Sequence, residues 1–464
     1  MLRRKRSALG QISTRFAAVW IAALVALAPI AAEAQTRLPL VRDAEIEALI
    51  RDYSLPLFKV SGISASNIQI YLIRSSAFNA FVADGRRMFI NTGAIMQSDT
   101  PNQLIGVIAH ETGHIAGGHL ARLRDQLART RTASIIAMLA GAAAAVAVGA
   151  AGGSGSDAVN IGRAAVAGGT QATQRSFLEY RRSEEIAADR AAINYLNATG
   201  QSGKGMLEVF DRFAGQAIFS GRYTDPYVQS HPLPRDRVAT LEQLVRSSPY
   251  YNSADPASLV KRHNMVRAKL HGFLDNPRSV MRRYPRNDAS LPARYARAIA
   301  RFRTADLRAA IRDIDGLIRA EPRNPYFREL KGQALLESGR ATEAIKPLQD
   351  AVSLAPNEPL IRIMLGHALV ATNSRANMEA AIGHLRKGLA AEPDHGAGFR
   401  QLSIAYGRTG REGEAALAAA RGFLAQGAIP LARQQATRAQ ALLKRGSPGW
   451  IQADDLLNVT KREK

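Results

Sequence analysis

The spacing of apolar residues separates a region of mixed helices and strands from an all-helical region. Residues 38–57 carry apolar side chains at helical intervals, which predicts an amphipathic helix. Two short apolar runs follow at 68–73 and 87–91, with a further stretch at 78–83 between them, and their lengths are typical of strands. The pattern therefore predicts a small sheet that leads directly into the next helix.

A continuous apolar stripe at 104–108 predicts that this next helix is largely buried. Its start is marked by Thr100 as the N-cap, Pro101 in the first helical position and Gln103 as the far side of a capping box. We expect the helix to continue through Leu127. A strand beside it could hold an extended peptide by main-chain hydrogen bonds, or the sheet could be purely structural.

From about Asn287 the pattern changes to pairs of helices. A Glu-Pro or Ala-Pro dipeptide recurs at intervals of 34 and 37 residues, at positions 321, 355 and 392. This is the period of tetratricopeptide repeats, with three extra residues near 373–377. Such repeats stack into a curved solenoid whose concave face binds peptides or partner proteins. The predicted repeat domain spans 287–445, closed by a helix from Pro430, and 446–464 is expected to be a tail.

The first 34 residues have the organisation of a secretory signal peptide. A basic segment at Arg3–Arg6 precedes the uncharged stretch 16–32, and Ala32-Glu33-Ala34 forms a small-residue cleavage site. This arrangement favours a cleaved signal peptide and ordinary export over an uncleaved N-terminal anchor.

The chain has a formal net charge of +23 and no cysteine. Its basic residues are scattered over predicted helices, which is typical of solvated faces and does not indicate a nucleic-acid partner. The absence of cysteine excludes disulfides and thiolate ligands. Any metal must therefore be bound by histidine and carboxylate side chains.

The buried helix carries the motif H-E-x-x-H at 110–114. His110 and His114 lie one turn apart on one face, so their imidazoles can bind a single Zn²⁺. Glu111 lies at the edge of that face and is placed to take a proton from an attacking water. The alternative is a chance match on a helix that happens to contain histidine.

A later helix supplies candidate partners for this motif. Glu185 and Asp189 are four residues apart and share one face. Glu185 could be a third ligand, which leaves the fourth position for water, and Asp189 could orient a ligand histidine through its other ring nitrogen. Glu184 competes for the ligand role, and without the upstream motif the segment would be a solvated acidic edge.

Two further histidines, His119 and His231, belong to segments close to these motifs or to a proline-rich loop. The loop around His231 is restricted by Pro232, and both His231 and Arg237 could face the active site. His231 could stabilise the oxyanion of the reaction, cap the metal in a resting state, or be a surface residue of a rigid loop. In a continuous helix His119 lies about 180° around from His110, so we expect a structural role for it.

The segment 133–151 has no charged residue and consists mostly of alanine and glycine. It is long enough to span a bilayer but only weakly apolar. This composition favours a helix lying on a membrane surface, or a mobile flap over the active site, above a spanning helix.

Three motifs in this order resemble the HtpX-type zinc metallopeptidase family, to which the CAAX prenyl proteases are related. They are His110-Glu111-x-Gly113-His114 with His119, Glu185-x-x-Ala188-Asp189-Arg190, and Ser230-His231-Pro232 with Arg237. The resemblance covers about 38–270 and implies a mainly α zincin-type domain with a small sheet at 35–275. It also implies one Zn²⁺ per chain held by His110, His114 and Glu185, with Glu111 as general base and Asp189 behind a ligand. Many members have several clear spanning helices, so the signal peptide points to an exported branch.

An exported peptidase of this type followed by repeats resembles the beta-barrel assembly-enhancing proteases of the Gram-negative periplasm. The resemblance implies a periplasmic endopeptidase in the quality control of outer-membrane proteins. It would degrade unfolded or misassembled proteins and help assembling ones, while the repeats contact the assembly machinery. The alternative is mainly a chaperone or scaffold with secondary proteolysis.

Overall fold

The computed structural model of the protein describes residues 39–128, 132, 178–219 and 226–462. The expected signal peptide at 1–34 and the uncharged segment 133–151 lie outside this part of the chain. Within it, we find no helix with the length and apolar character needed to cross a bilayer. The prediction of a mainly helical fold with one small sheet and a helical-repeat region is confirmed.

Four short strands form the sheet, in the order β1-β2-β4-β3. The strand β2 is parallel to β4, whereas β1 pairs with β2 and β3 pairs with β4 in the antiparallel direction. This order places β3 at one edge of the sheet. The strands are β1 (Leu40–Val41), β2 (Gln69–Ile73), β3 (Ala80–Ala83) and β4 (Arg87–Asn91).

The helix that carries the H-E-x-x-H motif begins as predicted. It is α3 (Pro101–Gly117), and it follows α1 (Ala44–Ser61) and α2 (Thr92–Gln97). Thr100 is its N-cap, with the hydroxyl oxygen accepting from the Gln103 backbone N–H at 3.4 Å. The Gln103 side chain accepts from the backbone N–H one residue before the cap. The α3 start is thus capped from both directions.

A glycine pair ends α3 earlier than predicted. Gly118 has φ +64, a left-handed conformation that glycine adopts without steric cost, and its N–H bonds back to the last turn of α3. The chain then becomes helical again over 119–128, here called α4. The prediction of one continuous helix through Leu127 is therefore wrong, because the left-handed residue changes the chain direction.

The helix α3 lies in the core of the first domain. It packs against α1, β3 and α6, and most of its side chains are buried. Gly106 allows α6 to approach, since a Cβ at this position would lie 2.6 Å from the Met206 Cβ. The remaining helices of this region are α5 (178–198), α6 (Lys204–Phe219), α7 (Pro226–Ser230), α8 (Arg235–Arg246), α9 (Ala257–Leu274) and α10 (Pro277–Arg283).

The repeat region consists of helical hairpins from Leu291 onward. Consecutive helices contact one another along the whole region. The three extra residues fall within α16, which has 17 residues where α14 has 14. The helices are α11 (Leu291–Arg303), α12 (Leu307–Ala320), α13 (Pro325–Glu337), α14 (Ala341–Leu354), α15 (Pro359–Ala371), α16 (Arg375–Ala391), α17 (Gly396–Arg408), α18 (Glu412–Ala425), α19 (Ile429–Leu442) and α20 (Pro448–Arg462).

The prediction of a C-terminal tail at 446–464 is wrong for most of that segment, which forms α20. Ala453 is completely buried in a small apolar cluster with Leu417 of α18 and Ala439 of α19. The apolar face of α20 is narrow and centred on an alanine, whereas Ile451 is about half exposed. Such a face gives only a weak periodic signal in the sequence.

Buried charges join the peptidase region to the repeats. Lys269 of α9 is 3 % exposed, and its Nζ lies 2.7 Å from Asp43 Oδ2 and 3.3 Å from Glu45 Oε2 at the start of α1. The Glu329 carboxylate of α13 lies 3.9 Å away on the other side. The Tyr295 hydroxyl of α11 donates to Glu45 at 2.8 Å. The two regions thus share one buried polar cluster.

Candidate metal centre

Four side chains from separate parts of the chain converge in the first domain. His110 and His114 come from α3, Glu185 from α5, and His231 from the loop after α7. Their nitrogen and carboxylate atoms all lie within 4.8 Å of one another, which is the arrangement of a group that can hold a metal ion. The Nε2 atom of His110 lies 3.0 Å from His114 Nε2 and 3.2 Å from His231 Nδ1.

Glu185, and not Glu184, lies in this group. Its carboxylate is 3.4 Å from His110 Nε2, 3.5 Å from His114 Nε2 and 3.1 Å from His231 Nδ1. Burial would raise the pKa of Glu185, but the neighbouring His231 and His110 hold that pKa well below its usual range. The Glu184 carboxylate instead faces His119 and Arg122.

The donor set fits a divalent cation of the Zn²⁺ type, which binds imidazole and carboxylate ligands. Burial lowers the pKa of His114 well below its usual value, so this imidazole is neutral, as a ligand must be. Burial would also lower the pKa of His110, yet hydrogen bonding to Asp189 and Glu185 raises it to about 9. The two carboxylates thus favour positive charge at this point.

A buried charged pair lies behind His110. Asp189 Oδ1 is 2.9 Å from His110 Nδ1, the ring nitrogen that points away from the group. Arg237 is 1 % exposed and binds Asp189 through two nitrogens, at 2.6 and 2.8 Å. A third nitrogen of Arg237 lies 2.9 Å from Glu185. One guanidinium therefore fixes the carboxylates of Asp189 and Glu185 on α5.

The loop that carries His231 is held from two sides. The His231 backbone N–H donates to the Tyr227 carbonyl at 2.8 Å, and Arg181 of α5 donates to the Ser230 carbonyl at 2.7 Å. The ring of Tyr227 lies 5.0 Å from the His231 imidazole. His231 is 5 % exposed, so the alternative of a surface histidine is wrong.

Comparison with known proteins agrees with this geometry. Residues 40–245 match Peptidase family M48, and residues 295–359 match a tetratricopeptide-repeat family. The chain carries an M48 peptidase domain followed by tetratricopeptide repeats. The resemblance drawn from the three motifs is thereby confirmed.

Two bacterial relatives carry the same name, beta-barrel assembly-enhancing protease. The beta-barrel assembly-enhancing protease of Escherichia coli K12 is 24 % identical over 338 residues, which cover 71 % of this chain and 66 % of the relative. The protein of the same name in Yersinia pestis is 22 % identical over 433 residues, which cover 91 % of this chain and 85 % of the relative. The mitochondrial metalloendopeptidase OMA1 of Schizosaccharomyces pombe is 35 % identical over a shorter stretch of 86 residues. That stretch covers 18 % of this chain and 25 % of the relative. The chain thus spans about two thirds of the E. coli relative.

A cavity of about 260 Å³ opens onto this group of four side chains, beside the edge strand β3. Phe81 and Val82 of β3 line it together with Glu111, His114 and His231. In the described part of the chain β3 pairs only with β4, so its other edge is available to an extended segment.

Glu111 is placed at this cavity with its carboxylate free. It is 1 % exposed, and neither oxygen accepts a well-formed hydrogen bond from a described residue. His231 Nε2 lies 3.3 Å from Oε1. Burial raises the pKa of Glu111, which makes the carboxylate more basic than an exposed one.

Sequence reasoning missed the environment of His119. This residue is 7 % exposed and contacts His114, because the chain turns at Gly118 and does not continue α3. The available signal was the Gly117-Gly118 pair, a common way to end a helix. The ring of Phe210 under the Arg237 guanidinium, at 4.9 Å, had no comparable signal.

Proposed function

We propose that the protein is a periplasmic zinc-dependent endopeptidase in the quality control of outer-membrane proteins. The observation that carries this proposal is the group of His110, His114 and Glu185 with the free Glu111 carboxylate beside it. The name of the E. coli and Y. pestis relatives supports the outer-membrane context. The signal-peptide organisation of the first 34 residues supports export.

In this proposal His110, His114 and Glu185 hold the Zn²⁺, which supplies Lewis-acid polarisation of the scissile carbonyl and a lowered pKa for water. Glu111 takes the proton of the attacking water and returns it to the leaving amine nitrogen. Asp189 Oδ1 faces His110 Nδ1, so Nε2 is the nitrogen with which His110 would bind the ion. Burial would raise the pKa of Asp189, but hydrogen bonds from Arg237 lower it and keep the carboxylate ionised.

The substrates of this proposal are unfolded or misassembled outer-membrane proteins. An extended segment would add to the free edge of β3 and present its main chain to Glu111. Folded domains do not offer such a segment, which restricts cleavage to proteins that have failed to assemble. The tetratricopeptide repeats would bind these substrates or the outer-membrane assembly machinery through their concave face.

His231 is proposed as a fourth donor that occupies the metal group in the resting state. Its Nδ1 lies between His110 and Glu185, where a substrate carbonyl or water would have to enter. The second role considered for it, stabilisation of the oxyanion, requires the ring to leave this position during the reaction.

A Glu111→Gln variant separates the peptidase from the chaperone alternative. The substitution removes the base but keeps the shape of the side chain, so zinc content should stay at the wild-type level. Hydrolysis of unfolded casein should fall by about 10²–10⁴-fold. Glu179→Gln, an exposed position on α5, is the matched control and should retain full activity. Full casein hydrolysis by Glu111→Gln would contradict the assignment, whereas full assembly support without hydrolysis would favour the chaperone alternative.

A further inference from the structure

His119 lies against His114 because of the way α3 ends. The left-handed Gly118 turns the chain back, so the first residue of α4 faces the last turn of α3. A Cβ at Gly117 would overlap the His119 ring. Gly117 and Gly118 therefore both allow the His119 imidazole to pack against His114.

A line of close polar contacts runs outward from His114. Its Nδ1 lies 2.8 Å from His119 Nδ1, and His119 Nε2 lies 3.0 Å from Glu184 Oε2. A proton on His119 Nε2 would face the Glu184 carboxylate, which can only accept, and would leave Nδ1 as an acceptor. In that arrangement His114 donates from Nδ1, and its Nε2 faces His110 and Glu185.

The outer end of this line is anchored across the helix break. Arg122 of α4 donates to both Glu184 oxygens, at 3.3 and 2.7 Å, and also to the Gly117 carbonyl. The Glu184 side chain is 15 % exposed, whereas that of Arg122 is 51 % exposed. Glu184 is thus held between a buried imidazole and a surface guanidinium.

We propose that His119, supported by Glu184, is a positioning residue that fixes both the ring orientation and the tautomer of His114 for metal binding. Its part is equivalent to that of Asp189, which faces Nδ1 of the other α3 histidine. The two ligands are thus held from behind by different groups on different helices. The inference rests on the metal centre of the proposed function.

If His119 positions His114, its loss should weaken metal binding by a measurable factor. A ligand histidine without its outer partner can rotate and can place its proton on either nitrogen, so only a fraction of its states bind metal. Loss of such a partner typically weakens metal binding about 10–100-fold. A residue that only fills space would leave this affinity unchanged when replaced by another group of suitable size.

The test is zinc affinity, measured on the full chain by competition with a chromophoric chelator. His119→Leu should bind zinc about 10–100-fold more weakly than wild type. His119→Gln, which retains an acceptor for His114 and a donor for Glu184, should stay within a few-fold of wild type. Arg124→Leu, at an exposed position of α4, is the matched control. Wild-type affinity in His119→Leu, or an equal loss in His119→Gln, would overturn the proposal.

Two further measurements distinguish the positioning role of His119 from the existence of the zinc site. Glu184→Gln should weaken zinc binding in an otherwise wild-type chain but add little in a His119→Leu background, because Glu184 acts through His119. The visible spectrum of the Co²⁺-substituted protein should change in His119→Leu and not in Arg124→Leu. Additive losses in the double variant would contradict the relay. Absence of zinc binding in the wild-type protein would instead contradict the proposed function.

Discussion

The groups around each histidine decide which ring nitrogen it offers to the centre. Asp189 faces Nδ1 of His110 and His119 faces Nδ1 of His114, so both α3 histidines offer Nε2. Both ring nitrogens of His231 face groups of the site itself, including Glu111 at 3.3 Å. The ring nitrogens of His231 therefore face the site alone, although its backbone is held, and this suits a displaceable resting-state ligand.

At the residue scale, His231→Ala tests that role. Removal of the imidazole should open the fourth position beside Glu111, so hydrolysis of unfolded casein should rise several-fold with zinc content unchanged. The rate is measured under steady-state conditions, with Asp236→Asn, at an exposed position in the first turn of α8, as the control. Lower turnover with intact zinc would assign oxyanion stabilisation to His231 instead. A wild-type rate would contradict both roles.

Residue spacing predicted much of this site. His110 and His114 four residues apart, and Glu185 with Asp189 four apart, are each fixed by the helical repeat, and the structure brings all four together. The environment of His119 could not be predicted in this way, because the expectation assumed a continuous helix. One left-handed residue at Gly118 changed the direction of the chain and with it the neighbour of His119.

At the element scale, the position of α3 depends on close approach to α6. Gly106 faces the backbone of Met206, where a Cβ would lie 2.6 Å from Met206 Cβ and 3.0 Å from its backbone nitrogen. Backbone cannot move aside as a flexible side chain can, so a methyl group here forces the two helices apart. Because glycine has no side chain at position 106, the helix that carries His110 and His114 can pack directly against α6.

Gly106→Ala should lower the free energy of unfolding by about 1–3 kcal/mol, the usual cost of overpacking. Gly215→Ala on α6 is the control, since a Cβ there meets nothing within 4 Å. This second change should raise stability by about 0.5–1 kcal/mol, because alanine favours helix more than glycine does. Urea denaturation of both variants measures the difference. Equal effects of the same sign would show that helix propensity, and not helix approach, decides stability at Gly106.

The elements themselves were predicted to different extents. Strands at 68–73 and 87–91, the capped start of α3 and the 34-residue repeat all have strong local signals. The helix α20 lacked one, since it is stabilised by a single buried alanine and by neighbours that the sequence does not place beside it. Packing against distant elements decided its structure, and local propensity did not.

For the whole molecule, the buried cluster around Lys269 lies where the peptidase domain meets the repeats. Three carboxyl groups surround one buried ammonium group: Asp43 and Glu45 from one domain and Glu329 from the other. Burial raises the pKa of Glu329 to about 8, although Lys269 opposes the shift. At neutral pH this carboxyl therefore holds a proton that it would lose in the unfolded chain.

The sign of the resulting pH dependence follows from that difference. Between pH 4.5 and 8 the unfolded chain releases a proton that folded Glu329 retains, so this group's contribution to stability falls as pH rises. Glu329→Gln removes the titration, and its stability relative to wild type should increase from pH 5 to pH 8. Urea unfolding at the two pH values measures this change. A stability difference that is the same at both values would contradict a raised pKa at the junction.

The central claim is that this M48 domain holds one zinc ion through His110, His114 and Glu185. Elemental analysis of the purified full chain, dialysed at a fixed free zinc concentration, tests it most directly. We expect one zinc per chain in the wild-type protein and in Glu184→Gln, and loss of zinc in His110→Ala, His114→Ala and Glu185→Gln. Zinc content unchanged by both histidine substitutions, or retained in Glu185→Gln and lost in Glu184→Gln, would contradict it.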